Sequence, residues 1–192
     1  MIWPNRRVVL LLCTLFLSAL AVRAQEYSPT NGEQSCRSFT QAFYNWYIST
    51  AHPPAPESQG FGTWAGTLRY KGRNPFGPEI AQALIESDAE SKADGDPAVD
   101  FDPILFNPCT PAHYVVRRVT RNSGHYWADV YDMSSEPGCR TGKGKLPDVV
   151  AEMVFKGGHW QFVNFYYPDP DPAHATWAHD LLGLLKYQYR PK

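Results

Sequence analysis

The stretch AHYVVRRVTRNSGHYWADVYDM, from Ala112 to Met133, decides the fold. Its β-branched and aromatic residues lie on both sides of Asn122-Ser123-Gly124, a combination that is typical of turns. This pattern predicts two strands joined by a tight hairpin. We expect the strands at Ala112–Arg121 and His125–Met133.

A second hairpin follows with the same period of two. The expected strands are Pro147–Phe155 and His159–Tyr167, and Gly157-Gly158 stands between them, where a two-residue turn favours glycine. Four successive strands joined in this way predict an antiparallel sheet.

Helical patterns come before the sheet. Four aromatic residues, Phe39, Phe43, Trp46 and Tyr47, share one face of a helix that begins near Ser35, with Ser35 or Asn31 as its cap. Such a stripe is either core or the lining of an aromatic pocket. A second helix is expected within PEIAQALIESDAES, after a short strand at Thr67–Lys71.

The chain ends in a further helical pattern. Asp171 is a suitable N-cap with Pro172 at the first helical position, which predicts a helix over 172–192. Helices first and a meander afterwards indicate an α+β fold. We expect N-terminal helices packed on a curved four-stranded antiparallel sheet in a cone-like arrangement, plus a C-terminal helix.

The first 24 residues predict a secretory signal peptide. Arg6 and Arg7 precede the apolar run Val8–Leu20, and Ala24 suits cleavage by signal peptidase. The expected organisation is a signal peptide at 1–24, a flexible lead at 25–34, the cone-like domain at 35–171 and the C-terminal helix at 172–192. The protein is therefore expected to be exported, to the periplasm or outside the cell.

Charge limits the class of partner. The chain has 18 basic and 19 acidic residues, and cleavage after Ala24 would leave 15 basic against 19 acidic, a net charge of −4. No basic stripe is apparent for tracking phosphates, which argues against nucleic acid. No second long apolar run follows, so no membrane association is expected after cleavage.

Three cysteines remain after cleavage, so at most one internal bridge can form. Cys109 and Cys139 would lie nearly opposite each other at the open end of the first hairpin, and we predict a disulfide between them. Closing a loop of this size contributes about 3 kcal/mol. Cys36 is then a free thiol, buried rather than reactive.

Three motifs carry a resemblance to a known family: AFYNWY at 42–47, DFDPIL at 100–105 and GHWQFVNFYY at 158–167. The chain resembles a family of small, uncharacterised, exported bacterial proteins with F-Y-x-W-Y and D-x-D-P motifs. The resemblance implies a nuclear transport factor 2-like (cystatin-like) fold and no particular activity. Asn107-Pro108-Cys109 replaces that family's Gln-Asp pair, so any role of that pair does not transfer.

Acidic residues are the main candidates for chemistry. Asp102 stands before Pro103, which favours a helix cap, whereas Asp100 could lie on the surface or in a pocket. Asp129 and Glu152 fall mid-strand and would either line a pocket or face solvent. No histidine pair has the spacing of a metal site, and no catalytic residue, metal or cofactor is predicted.

These observations leave two main functional hypotheses. The first is an exported, non-catalytic binding protein for an unknown protein or small molecule, with immunity to a toxin as one version. The alternative is a small-molecule enzyme, an isomerase or hydrolase, that uses a carboxylate in an aromatic-lined pocket. The candidate pocket residues are Asp100, Phe43, Trp46, Tyr47, Asp129 and Glu152. A third interpretation is an oligomerising module that uses the terminal helix.

Overall fold

The structure is a computed structural model that describes residues 31–51, 66–94, 102, 104–106, 113–133, 146–168 and 180–188. The predicted signal peptide, Asp100 and the Cys109–Cys139 pair lie outside these residues and stay predictions. Among the described residues, no helix is long and apolar enough to span a membrane.

The fold is α+β, with helices before a four-stranded antiparallel sheet and a short helix after it, as predicted. The helices are α1 (Gly32–Trp46), which continues into a π-helical turn (Tyr47–Ala51), α2 (Pro78–Asp94) and α3 (Leu181–Gln188). The strands, in their sheet order, are β1 (Tyr114–Asn122), β2 (His125–Asp132), β3 (Val149–Lys156) and β4 (His159–Tyr166).

Both predicted hairpin turns are confirmed. Asn122 pairs with His125 around Ser123-Gly124, and Lys156 pairs with His159 around Gly157-Gly158. All four turn residues have positive φ, between 49° and 83°, as a two-residue turn of this hand requires. Glycine tolerates this conformation without steric cost.

Two irregularities interrupt the ladders. The register of β1 against β2 shifts between Val116 and Val119, and that of β3 against β4 shifts between Glu152 and Met153. At a bulge, the side chains of consecutive residues no longer alternate strictly between the two faces of the sheet, and the local twist increases. Arg117 and Arg118 lie within the shift in β1.

The aromatic stripe of α1 packs on one face of the sheet, here called the inner face. Phe43 is fully buried, with its ring centroid 4.7 Å from that of Phe162 and 5.5 Å from that of Tyr70. Tyr47 is fully buried as well, and Trp46 is partly buried against the same cluster. Of the two interpretations of the stripe, the structure therefore favours core.

Several boundaries differ from the prediction. Helix α1 begins at Gly32, so the end of the expected lead is helical; Asn31 is at the cap position but its side chain forms no capping bond. Among residues 66–77, no strand forms at Thr67–Lys71, because Tyr70 pairs only with Arg73 in a tight turn. Helix α3 begins at Leu181, where Asp180 accepts a hydrogen bond from the Gly183 N–H; Asp171 lies outside the described residues.

Cys36 is fully buried, as predicted, and lies against Thr40 and Met153. Burial raises the pKa of its thiol from near 9 to about 12. Because the folded state favours the protonated form, this contribution to stability is complete below pH 9 and is lost as the pH rises towards 12.

We therefore expect Cys36 to resist iodoacetamide at pH 8 in the native protein and to react readily in 8 M urea (a condition of roughly complete unfolding). Peptide mass spectrometry measures the labelled fraction of Cys36 separately from the other cysteines. Labelling of the native protein as fast as in urea would show that the thiol is accessible.

Candidate functional site

A cavity of about 650 Å³ opens between the first turns of α1 and the outer edge of the sheet at β1. This volume lies within the range of small-molecule sites. We call it the α1–β1 cavity. Its lining is formed by Asn31, Gly32, Glu33, Gln34 and Arg37 from the helix side and by Arg117, Arg118, Val119 and Arg121 from the strand.

Four arginines against one acid, Glu33, make this lining strongly basic. The chain as a whole has a net charge of −1, so the cavity contrasts with the rest of the molecule. A guanidinium group offers a planar set of donors that suits carboxylate and phosphate oxygens. The lining therefore has the chemistry of a site for an anion.

Contacts within the sheet hold two of these arginines in place. Arg118 Nε donates to Asp129 Oδ2 at 2.8 Å, and the guanidinium carbon of Arg117 lies 4.4 Å from the ring centroid of Tyr131. The Asp129 carboxylate is nearly buried, whereas the Arg118 side chain is 72% exposed. The pair positions Arg118 without enclosing it.

The other two arginines are less engaged. Arg121 lies over the ring of Tyr126, 5.4 Å from its centroid, and Arg37 is exposed on α1. Within the described part of the chain, neither has a carboxylate at ion-pair distance. Arg37 and Arg121 are therefore the charges that are most available to a ligand.

The N-terminus of α1 reinforces the positive potential. The first N–H groups of a helix have no partner within it, and the helix dipole places partial positive charge there. Gly32, Glu33 and Gln34 contribute this turn to the lining, and the first backbone bond of the helix runs from Ser35 N–H to Asn31 C=O.

Tyr126 provides a further polar atom beneath this turn. The residue is 2% exposed, and its hydroxyl has no hydrogen-bond partner in the part of the chain that the structure describes. It ends against Gly32, where a Cβ would collide with the hydroxyl. Gly32 is thus required for close approach, and an unsatisfied hydroxyl lies immediately behind the cavity wall.

The residues predicted as a pocket are not brought together. Phe43, Trp46 and Tyr47 belong to the core cluster at the inner face. Asp129 and Glu152 alternate with buried Ala128 and Ala151 along their strands and so lie on the opposite, outer face. Asp100 lies outside the described residues.

Glu152 nevertheless organises a polar cluster on that outer face. Its Oε1 lies 2.6 Å from His125 Nδ1, and its Oε2 accepts a hydrogen bond from the Tyr166 hydroxyl at 2.8 Å. The His125 ring stacks on Trp127, with centroids 6.0 Å apart. Burial and the bond to Glu152 raise the pKa of Tyr166 to about 12. In the described segments, no group of three or more side chains has the arrangement of a metal site.

Asp102 acts as a cap, as predicted from Asp102-Pro103. Its Oδ1 accepts bonds from the N–H groups of Ile104 and Leu105 at 2.8 and 3.1 Å, and its Oδ2 accepts one from the Tyr47 hydroxyl at 2.7 Å. The carboxylate is 2% exposed. It fastens this turn to the end of α1.

Replacing Asp102 with alanine is expected to lower the free energy of unfolding by about 2–3 kcal/mol, because buried donors lose a charged acceptor. Asp102→Asn keeps an oxygen for the two N–H groups and should cost less. Urea unfolding measures both. Equal and small losses for the two variants would show that the carboxylate does not hold the turn.

Comparison of the chain with protein-family models, with curated proteins and with solved structures finds no match. The arrangement of residues is therefore the basis for a functional proposal.

Proposed function

We propose that the protein is an exported, non-catalytic binding protein, periplasmic or extracellular, that binds an anionic ligand in the α1–β1 cavity. One observation carries the proposal: four arginines and a helix N-terminus converge on one cavity of about 650 Å³. The export component is supported by the basic start and apolar run at 6–20 of the sequence.

The packing of the aromatic residues also supports binding over catalysis. The alternative enzyme needs a carboxylate within an aromatic-lined pocket. The aromatic side chains of α1 instead fill the core, and the two described candidate acids lie on the other face of the sheet. The resemblance to exported bacterial proteins with a nuclear transport factor 2-like fold, and the toxin-immunity version of the hypothesis, remain part of this proposal.

Isothermal titration with citrate as an anionic probe tests the proposal. The wild-type protein should bind citrate at low salt, and added NaCl should weaken binding by screening. Arg121→Ser should weaken it by about tenfold, the effect of losing one charge-assisted contact. Arg69→Ser is the matched control, because Arg69 is exposed and bonds to Thr67 and Leu68 carbonyls away from the cavity.

The control variant should bind citrate as the wild type does. Absence of citrate binding to the wild type, or equal weakening by both substitutions, would refute an anion site in this cavity. For export, protein recovered from the medium or periplasm should begin at Gln25.

A further inference from the structure

The outer edge of β1 is paired in part by a side chain of α1. The sheet order is β1-β2-β3-β4, so among the described residues β1 has a strand neighbour on one side only. On its other side, Gln41 of α1 bonds to the strand backbone: its Nε2 donates to Tyr114 C=O and its Oε1 accepts from Val116 N–H, both at 2.9 Å. A side-chain amide thus pairs with this edge as a neighbouring peptide group would.

Beyond Val116, the edge continues as exposed strand. Arg117, Arg118, Thr120, Arg121 and Asn122 are exposed, and Val119 is partly buried. Backbone N–H and C=O groups on the open side of an edge strand are a template for a further strand. The edge at 117–122 therefore offers both backbone groups and arginine side chains.

A groove follows this edge. A second cavity of about 630 Å³ lies between α1 and Val115–Arg117, and it shares Arg37 and Arg117 with the α1–β1 cavity. The two together extend along the strand from 115 to 121. At about 3.3 Å per residue, this is a length of about 20 Å, which suits an extended segment of about six residues.

Charge selects the kind of segment. Arginines on an edge strand oppose pairing with neutral or basic strands, because an approaching strand must compensate buried charge. An acidic strand would supply that compensation, and Arg37 on α1 faces the same groove. Charge complementarity thus points to an acidic occupant.

We propose that the ligand of the α1–β1 cavity is an acidic, extended polypeptide segment that adds as a strand to the edge of β1 at Arg117–Asn122 and places carboxylates against Arg37 and Arg121. This inference rests on the proposed anion-binding function and names its ligand class. Main-chain hydrogen bonds supply affinity in such strand addition, and side-chain contacts supply specificity.

The test uses the purified protein and a synthetic octapeptide of alternating Glu and Val. A second peptide of the same sequence carries N-methyl groups on all its backbone amides, so it keeps its charge but has no backbone N–H on either edge with which to pair as a strand. We expect the unmethylated peptide to bind about tenfold more tightly, the effect of about two net hydrogen bonds. A peptide of alternating Lys and Val should not bind.

A protein variant tests whether the backbone of β1 itself pairs with the peptide. Val119→Pro removes one backbone N–H that alternation from Val116 and the bulge place on the open side of β1. It should lose the preference for the unmethylated peptide. A cooperative urea unfolding transition followed by circular dichroism shows that the variant is folded.

The outcomes separate this inference from the proposed function. Equal affinity for the two acidic peptides, or binding of citrate and of neither peptide, overturns strand addition and leaves an anion-binding cavity. Failure of citrate and of both peptides to bind overturns both. A tenfold preference that Val119→Pro abolishes supports both.

Discussion

Replacing Phe43 with alanine is expected to lower the free energy of unfolding by about 3–5 kcal/mol, the cost of truncating a buried phenylalanine. The side chain is fully buried and contacts the rings of Tyr47, Tyr70 and Phe162. Its removal leaves a cavity between α1 and the sheet that the surrounding rings cannot fill. Urea unfolding followed by circular dichroism measures the loss.

Leu146→Ala is the matched control, because Leu146 is 40% exposed. Its effect should stay within about 0.5 kcal/mol, as is usual for surface substitutions. If Phe43→Ala were as mild as this control, the stripe would be a pocket lining that solvent or a ligand can fill. The enzyme alternative would then regain its aromatic pocket.

Reversing the two available charges of the cavity should have the largest effect on binding. We expect Arg37→Glu with Arg121→Glu to weaken citrate binding by at least about 100-fold, because two attractive contacts are replaced by repulsion. Both side chains line the α1–β1 cavity and have no carboxylate partner among the described residues. Their replacement therefore breaks no ion pair within that part of the protein.

The control carries the same change in net charge at another place. Arg69→Glu with Arg73→Glu reverses two exposed arginines that do not line the cavity. Isothermal titration should give an affinity within about twofold of the wild type, since distant exposed charges are screened. A similar loss in both double variants would mean that citrate responds to overall charge and not to this cavity.

The sheet could be predicted because its signals are local. Asn122-Ser123-Gly124 and Gly157-Gly158 set the two turns, and period-two patterns on each side gave strand ends within two residues of those observed. The aromatic stripe of α1 could be predicted for the same reason, because its residues recur at helical spacing within one short segment. The prediction of a strand at Thr67–Lys71 was wrong, because a strand there depends on a partner strand that the neighbouring sequence does not supply.

The cavity could not be predicted from the sequence. Arg117, Arg118 and Arg121 are three charges on one expected strand, and the overall charge balance gave no indication of a basic surface. Their role in the cavity depends on Arg37, which lies 80 residues earlier than Arg117 in the chain. It also depends on a bulge, at which the side chains of Arg117 and Arg118 no longer alternate strictly between the faces of the sheet. Only tertiary packing brings the start of α1 to the edge of β1.

Strand register decided the position of the mid-strand acids. Asp129 and Glu152 could face either side, because a shift of one residue exchanges the faces of a strand. The observed pairing of Asp129 with Val150 and of Trp127 with Glu152 puts both acids on the outer face. There Asp129 binds Arg118, so one predicted candidate does contribute to the cavity, through the arginine that it positions.

The most direct test of the central claim is a titration of the ¹⁵N-labelled protein with citrate, followed by two-dimensional NMR of the backbone amides. If the α1–β1 cavity is the anion site, the saturable shifts will be concentrated at 31–37 and 117–121, the two segments that contribute the arginines. Amides around Glu152 on β3 will stay unchanged. Saturable shifts centred on Trp127, Glu152 and Tyr166, or no saturable shifts at all, would contradict the claim.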